Sequence, residues 1–344
     1  MLRTFIVGLG RAGLGLHWRV LHRLREAGAG PFSDAPALAW DQRDITAEAE
    51  DAGLLPVRSL AHARRLADPA ETVVHLCTPP VARLELLREL AELGFRRILV
   101  EKPLAADAGT LREIDDLRRE HGLQMVVVAH WLDSRLTRRL AELTLSGELG
   151  ELLSISVAQL KPRVRRTLTA EGHPTAFDVE LPHSVGVALR IAGDAQVAGA
   201  HLTDMRVGDV VIPRMGTARL VLRHDAGART EIFSDLVSPV LERRIELTFT
   251  DGRAVGHFPG SENDHYAHLR VEGGRHPGAS VFADDSLASF FRRVYEDFDR
   301  GVPSEAEFAL ACRVVELLGT AKSRCRSGAL IVPAPRVAEV MSRV

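Results

Sequence analysis

The sequence predicts an α/β protein in which an N-terminal, doubly wound and mostly parallel sheet is followed by a second α/β half with a large, mostly antiparallel sheet. Three observations predict it. The apolar strand Thr4 to Val7 runs into the glycine-rich turn Gly8-Leu9-Gly10-Arg11-Ala12-Gly13 and then into a helix. Apolar runs then alternate with helix-period stretches as far as Ala129, the pattern of strand–helix–strand units joined by right-handed crossovers. Beyond Leu152, strand-like runs follow one another across short turns.

A chain of 344 residues exceeds one ordinary core, so two domains are expected, residues 1–130 and 131–344. Hydrophobic residues at 46% and charged residues at 26% fit a globular protein. With 44 Lys+Arg against 46 Asp+Glu, the net charge of -2 gives no electrostatic reason to expect nucleic acid or an anionic membrane as a partner. Cys77, Cys312 and Cys325 are scattered and odd in number, which argues against a disulfide framework or a cysteine-based zinc site and fits a reducing cytoplasm. No apolar run reaches spanning length, and the first strand begins almost at Met1, so no signal peptide is expected.

In the first unit, Gly8 permits a tight turn, Gly10 lets a pyrophosphate approach the backbone, and Gly13 lets the helix pack closely on its strand. The helix start offers unpaired N–H groups and about half a positive charge to an anion. Leu14, Leu16, Val20, Leu21 and Leu24 set the helix, which ends near Gly28. Ala37 to Trp40 is the second strand, closed by Asp41. A carboxylate there accepts ribose hydroxyls and disfavours a 2′-phosphate, which points to NAD. Arg43 could instead reach that phosphate, so NADP stays open.

Leu54 to Val57 is a weak third strand, Ser59 to Leu66 a helix and Thr72 to Cys77 a strong strand. Thr78-Pro79-Pro80 forces the chain to turn at the carboxyl edge of the sheet, where ligands of parallel sheets sit. A helix follows from Val81 to Leu93, then a strand from Arg97 to Val100 that ends in Glu101-Lys102-Pro103. A helix marked by Leu111, Ile114 and Leu117 and a last strand, Met125 to Ala129, complete this half. Arg11, Ala12, Cys77, Thr78, Pro79, Glu101, Lys102 and His130 therefore join the glycines, Asp41 and Arg43 as candidate cofactor contacts.

In the second half, Leu152 to Leu160 alternates as a strand and leads into the basic loop Lys161-Pro162-Arg163-Val164-Arg165-Arg166. Phe177 to Ile191 is mostly helical, with Pro182 in its first turn. Strands are expected over Val197 to Val207, Ala218 to Arg223, Thr230 to Leu236 and Arg244 to Thr250. Leu287, Phe290, Phe291, Val294, Tyr295 and Phe298 form a core stripe on one helix. Ser304 and Glu307 read as a capping box for a last helix with Phe308, Ala311, Val315 and Leu318 inward.

Gly8-Leu9-Gly10-Arg11-Ala12-Gly13, Cys77-Thr78-Pro79-Pro80 and Glu101-Lys102-Pro103, in this order, resemble the glucose-fructose oxidoreductase, inositol dehydrogenase and rhizopine-catabolism (Gfo/Idh/MocA) family. Ser146-Gly147-Glu148-Leu149-Gly150 is similar to that family's linker between domains. The resemblance implies a Rossmann domain and then a domain whose open sheet mediates assembly, here as a homodimer or homotetramer. It also implies a catalytic histidine on the first helix of the second half, four residues after an Asp and working with the lysine of the Glu-Lys-Pro motif. His183 matches the histidine. Val179 stands four residues before it and Gly186 three after, where members carry acids; the acids here are Asp178 and Glu180, and Glu180 is the candidate to orient the ring.

An oxidoreductase of this kind transfers a hydride between nicotinamide and a hydroxyl or keto carbon of a sugar, cyclitol or sugar-derived substrate. Lys102 would polarise the substrate oxygen and His183 would carry the proton, with His130 as a rival carrier. Lys161, Arg163, Arg165 and Arg166 could anchor an anionic substrate group, which makes Lys102, Lys161, Arg163, Arg165 and His183 the substrate candidates. His265 and His268 sit at odd spacing on a strand and point to opposite faces, so no metal is expected. Two other readings remain open: a glycosidase that uses NAD transiently, and a non-catalytic dinucleotide sensor.

Overall fold

The computed structural model describes residues 1–169, 173–261 and 264–326. Its first part is a six-stranded parallel sheet. β1 (Arg3–Val7) leads to α1, whose opening stretch Arg11–Trp18 is wound as a wide π-type helix before it becomes regular over Arg19–Glu26. β2 (Leu38–Trp40), α2 (Thr46–Asp51), β3 (Leu55–Pro56) and α3 (Leu60–Leu66) follow. Then come β4 (Thr72–Leu76), α4 (Arg83–Glu92), β5 (Arg97–Val100), α5 (Ala108–His121) and β6 (Gln124–Val127). The strand order β3-β2-β1-β4-β5-β6 reverses between β1 and β4, which opens a crevice at their carboxyl ends.

Two expectations differ here. A π-type turn advances each residue by less than the usual angle, so the buried face of α1 carries His17, Trp18, Leu21 and Leu24, while Leu14, Leu16 and Val20 are only half-buried. The sequence reading also passed over α2, because Thr-Ala-Glu-Ala-Glu-Asp buries only Ala49 and so has no apolar stripe to reveal it.

After α6 (Arg135–Ser146) the chain forms β7 (Leu152–Leu160), α7 (Val164–Thr169), α8 (Leu181–Ala192) and β8 (Ala195–Leu202). A small ribbon, β9 (Met205–Val207) and β10 (Val210–Ile212), precedes β11 (Thr217–His224), β12 (Arg229–Asp235), β13 (Glu242–Phe249), β14 (Gly252–His257), β15 (Tyr266–Gly273) and β16 (Gly278–Ala283). Two helices, α9 (Ser286–Arg300) and α10 (Glu305–Arg326), end the described chain.

The eight-stranded sheet runs β16-β15-β14-β13-β7-β12-β11-β8. It is antiparallel except at its centre, where β7 and β12 pair in parallel. Helices cover one face of it. The other presents Phe233, Tyr266 and Val281 among paired charges such as Arg219–Glu231 and Arg253–Glu272. The basic loop becomes helical at Val164, and the strand expected over Val197 to Val207 is split between β8 and β9.

Alternation along β1 decides the packing of the first sheet. Phe5 and Val7 face a core completed by Leu87, Leu90, Phe95 and Ile114 from α4, α5 and their neighbours. Ile6 faces the opposite side, which is filled by Leu21 of α1 and by Phe290, Phe291, Val294, Tyr295 and Phe298 of α9. The helix stripe near the end of the sequence thus closes the core of the sheet that opens it. α10 is shared: Phe308 and Val315 join the first sheet's core, whereas Val314, Leu317, Leu318 and Ala321 join the second's. Glu307 is turned to Arg293 of α9 at 2.7 Å.

Candidate functional site

The crevice at the carboxyl edge widens into a cleft of about 1830 Å³ that reaches across to the start of α8. Drug-sized ligands occupy roughly 300–1,000 Å³, so there is room for two ligands side by side. The glycine turn forms one wall. A Cβ on Gly13 would lie 2.0 Å from the Gly8 carbonyl oxygen, so only glycine lets α1 sit this close to β1. A Cβ on Gly10 would meet nothing within 4 Å. The space that Gly10 faces is the approach a pyrophosphate needs, and α1 starts directly beside it.

Asp41 closes β2. Its Oδ2 accepts the Leu9 N–H at 2.8 Å, and its Oδ1 accepts the Arg43 backbone N–H at 3.1 Å and the Arg43 Nε–H at 3.3 Å. Burial raises the Asp41 pKa, but these bonds outweigh it and hold the carboxyl below its usual range. The residues present therefore fit a dinucleotide, with Asp41, the carboxylate expected at its ribose, already paired with its basic neighbour Arg43.

Two loops meet beneath the far end of the crevice, and the guanidinium of Arg83 clamps them. Arg83 donates to the Thr78 carbonyl through Nε at 3.0 Å and Nη2 at 2.8 Å, and its Nη1 reaches the Pro103 carbonyl. It is buried with only carbonyl partners, and burial lowers its pKa to about 10. This clamp fixes the Glu101-Lys102-Pro103 loop. The Lys102 Nζ donates to the Val179 carbonyl at 2.8 Å, and burial pulls its pKa down against the opposing charges of Glu180 and Glu101. At the position where the family resemblance calls for an Asp, the chain offers lysine a backbone oxygen instead of a carboxylate.

His183 follows four residues later in the first turn of α8, placed by the helix start at Leu181 and Pro182. Its ring stacks on Trp131 at 5.4 Å between centroids and meets the His130 ring edge-on at 4.8 Å. Burial, then the charges of His130 and Lys102, push its pKa well down, so the ring is neutral at neutral pH. His130 bonds Ser286 Oγ through Nδ1 at 2.8 Å, and burial takes its pKa to about 4.

Glu180 does not serve His183 as expected: its carboxylate is engaged by the Lys161 Nζ. Burial raises its pKa, but Lys161, Arg243 and Lys102 together hold it at about 2. Arg163 and Arg166 line the cleft. Arg163 is buried, with an Nε that has no hydrogen-bond partner. Arg165 is exposed and lies away from the lining, because one helical turn sets successive side chains of α7 about 100° apart. Among the described residues, no group of three or more His, Cys, Asp or Glu side chains could hold a metal ion, and no helix is long and apolar enough to cross a membrane.

Sequence reasoning missed Arg83 and Arg243, which line the cleft, and Lys322, which pairs with Asp178 there. One signal was available. Only three of the 44 basic residues are lysines, Lys102, Lys161 and Lys322. Lys102 and Lys161 line the cleft, and Lys322 pairs with Asp178 there. A chain that uses arginine almost everywhere keeps the compact, titratable amine at its cleft.

A family model described as "Oxidoreductase family, NAD-binding Rossmann fold" matches residues 2–130. No curated protein matches the chain by sequence. Among solved structures it is similar to KijD10, a 3-ketoreductase from Actinomadura kijaniata in complex with NADP and TDP-benzene, at 18% identity over 94% of this chain and 97% of that one, with a TM-score of 0.76. It is also similar to an NADPH-dependent oxidoreductase from Desulfitobacterium hafniense, at 14% identity over 95% and 96% of the chains with a TM-score of 0.77. The oxidoreductase yvaA from Bacillus subtilis matches at 15% identity over 95% and 98%, with a TM-score of 0.74. These likenesses are of fold. With the glycine turn, the acidic strand end and the Glu-Lys-Pro loop in place, residues 2–130 belong to the NAD-binding Rossmann fold of the Gfo/Idh/MocA oxidoreductase family.

Proposed function

We propose that the protein is an NAD(P)-dependent oxidoreductase acting on a hydroxyl or keto carbon of a sugar-like substrate that carries an anionic group. One observation supports this above the rest: Lys102, held on the Val179 carbonyl, and His183, four residues after Val179, line one end of the cleft, beyond the space that Gly10 leaves for a dinucleotide. The bound nicotinamide supplies the hydride chemistry. The protein's own task is to hold the substrate and move one proton.

The Lys102 ammonium polarises the substrate oxygen, and Glu101 and Glu180 favour its charged form. The neutral His183 ring is the group prepared to take the proton of a substrate hydroxyl during oxidation; during reduction it returns that proton. Trp131 and Phe258, stacked at 4.2 Å, form an apolar wall that keeps the ring dry. Arg163 and Arg166 are the anion seat, since a buried guanidinium with an unpartnered N–H has hydrogen-bonding capacity to give a phosphate or carboxylate. KijD10, with its TDP-linked ligand, supports an anionic nucleotide-sugar as the first class to try. The Asp41–Arg43 pair leaves NAD and NADP both to be titrated.

The experiment follows absorbance of NADH and NADPH over a panel of nucleotide-diphosphate keto-sugars and their neutral analogues. Lys102→Ala and His183→Ala are each expected to lower turnover by about 100-fold or more with dinucleotide affinity nearly intact. Arg163→Ala should raise KM for the anionic members alone. Full turnover in both Lys102→Ala and His183→Ala would overturn the reading. Released sugar with no net change in cofactor absorbance would move it to a glycosidase.

A further inference from the structure

Glu101 lies at the end of a buried hydrogen-bond chain. Glu101 Oε1 bonds His17 Nε2 at 2.9 Å, and His17 Nδ1 lies 2.8 Å from His75 Nδ1. His75 Nε2 lies 2.9 Å from the Tyr295 hydroxyl, which is 2.7 Å from Thr4 Oγ1. His17, His75, Tyr295 and Thr4 are all buried. The links come from α1, β4, α9 and β1, so four elements converge on one carboxylate.

Donor and acceptor counting gives the chain a direction. An ionised Glu101 only accepts, so His17 donates from Nε2. A neutral His17 then accepts at Nδ1, which makes His75 the donor at Nδ1 and the acceptor at Nε2. Tyr295 must give its O–H to His75 and take the Thr4 hydroxyl. The Cys77 Sγ, 3.3 Å from His17 Nδ1, is a second donor to the same lone pair. Every proton in the chain points toward Glu101, whose Oε2 also accepts the Lys102 backbone N–H at 3.0 Å. The chain ends at Thr4 inside the core and has no exit to solvent at that end, so it transmits orientation and not protons through the core.

We propose that His17, His75 and Tyr295 are positioning residues that hold Glu101 as a fixed, ionised acceptor beside Lys102, so that α9 sets the electrostatics of the lysine at the cleft. The groups acting on Lys102 are then the carboxylates Glu101 and Glu180, and the cations Lys161 and Arg163. His183 and His173, from the opposite wall, also interact with it. Of the two favourable charges, Glu180 is shared with Lys161, which leaves Glu101 as the one held by neutral donors. Lys102's role rests on the function proposed above; the chain's direction does not.

The test needs neither cofactor nor substrate. In 15N-histidine-labelled protein, long-range 1H–15N correlation should find His75 protonated at Nδ1 and bare at Nε2, and His17 the reverse, with assignments from His17→Gln and His75→Gln. With only three lysines, acetylation of Lys102 can be read by mass spectrometry against Lys322. A well-placed opposite charge shifts a pKa by roughly 1–3 units, so His17→Leu should raise the Lys102 rate about 10-fold. His17→Gln, which keeps an N–H aimed at Glu101, should stay within about twofold of wild type. Tyr295→Phe retains the ring packing and should mix the His75 tautomers and raise the rate by about two- to threefold.

A doubly protonated His17 with His75 protonated at Nε2 would overturn the proposal. So would unchanged Lys102 labelling in folded His17→Leu. If that variant does not fold, unchanged tautomers and rate in Tyr295→Phe decide against it. If the chain behaves as expected and no substrate turns over, the oxidoreductase reading fails on its own.

Discussion

Glu180 has a different partner from the one its position in the sequence suggests, and this has a measurable consequence. Three residues before His183 it reads as that ring's partner, yet Lys161 holds it. The spacing was visible, but Lys161 lies 19 residues away on the far side of a strand end, and nothing local in the sequence links the two. Its carboxyl is held at about 2 against an ordinary 4.5. A depressed folded-state pKa contributes stability that is fully present above about 4.5 and is lost as pH falls toward 2. Glu180→Gln should therefore lower Tm at pH 7, and the gap to wild type should narrow as the pH drops below about 4.5. A gap independent of pH would show that the loss comes from packing alone. Lys102, His183 and Arg163 were legible because motif and charge mark them in the sequence. His17 and His75 were not, since a lone histidine in an apolar segment carries no mark of the partner it finds 58 residues away.

At the scale of elements, the glycine turn separates folding from binding within four residues. Gly13→Ala places a methyl against the Gly8 carbonyl, so α1 must move off β1, and the variant should lose about 2 kcal/mol or more by urea denaturation. Gly10 has φ -77 and open space at its Cβ, so Gly10→Ala should fold with an unchanged midpoint and bind dinucleotide at least about 10-fold more weakly. Equal dinucleotide affinity by fluorescence titration would show that the pyrophosphate seat lies elsewhere.

The strands of the first sheet were legible because both faces are covered, which makes each a continuous apolar run such as Thr-Val-Val-His-Leu in β4. β14 to β16 were harder. Their outward positions include Arg253, His268, Arg270 and Glu272, and several turns between them are rich in glycine, so little in each short run separates a strand from a loop. The parallel pairing of β7 with β12 was illegible for another reason: adjacency in sequence says nothing about which strand a long excursion returns to.

The described residues are held together by α9 and α10. α10 buries residues in both cores, and α9 supplies one face of the first sheet. Phe291, fully buried, packs edge-on against His17 at 4.9 Å and His75 at 5.3 Å, so it supports the core and the chain that leads to Glu101 together. Phe291→Ala should cost about 3–5 kcal/mol by urea unfolding. A loss under about 1 kcal/mol would mean that α9 is only loosely docked.

The placement of α9 also bears on the order in which the protein is made. Thr4 and Tyr295 touch across 291 residues of sequence, and the Met1 ammonium reaches Asp299 across 298. A ribosome that has finished the dinucleotide-binding half has made a sheet whose Ile6, Val73 and Leu99 face is covered only in part, by α1, and it must add more than 150 further residues before α9, which completes the cover, emerges. Half-made chains commonly fold domain by domain from the N-terminus. This one cannot finish its first core until its second sheet has been translated, so the nascent chain carries a partly uncovered apolar face while residues 128–285 are added.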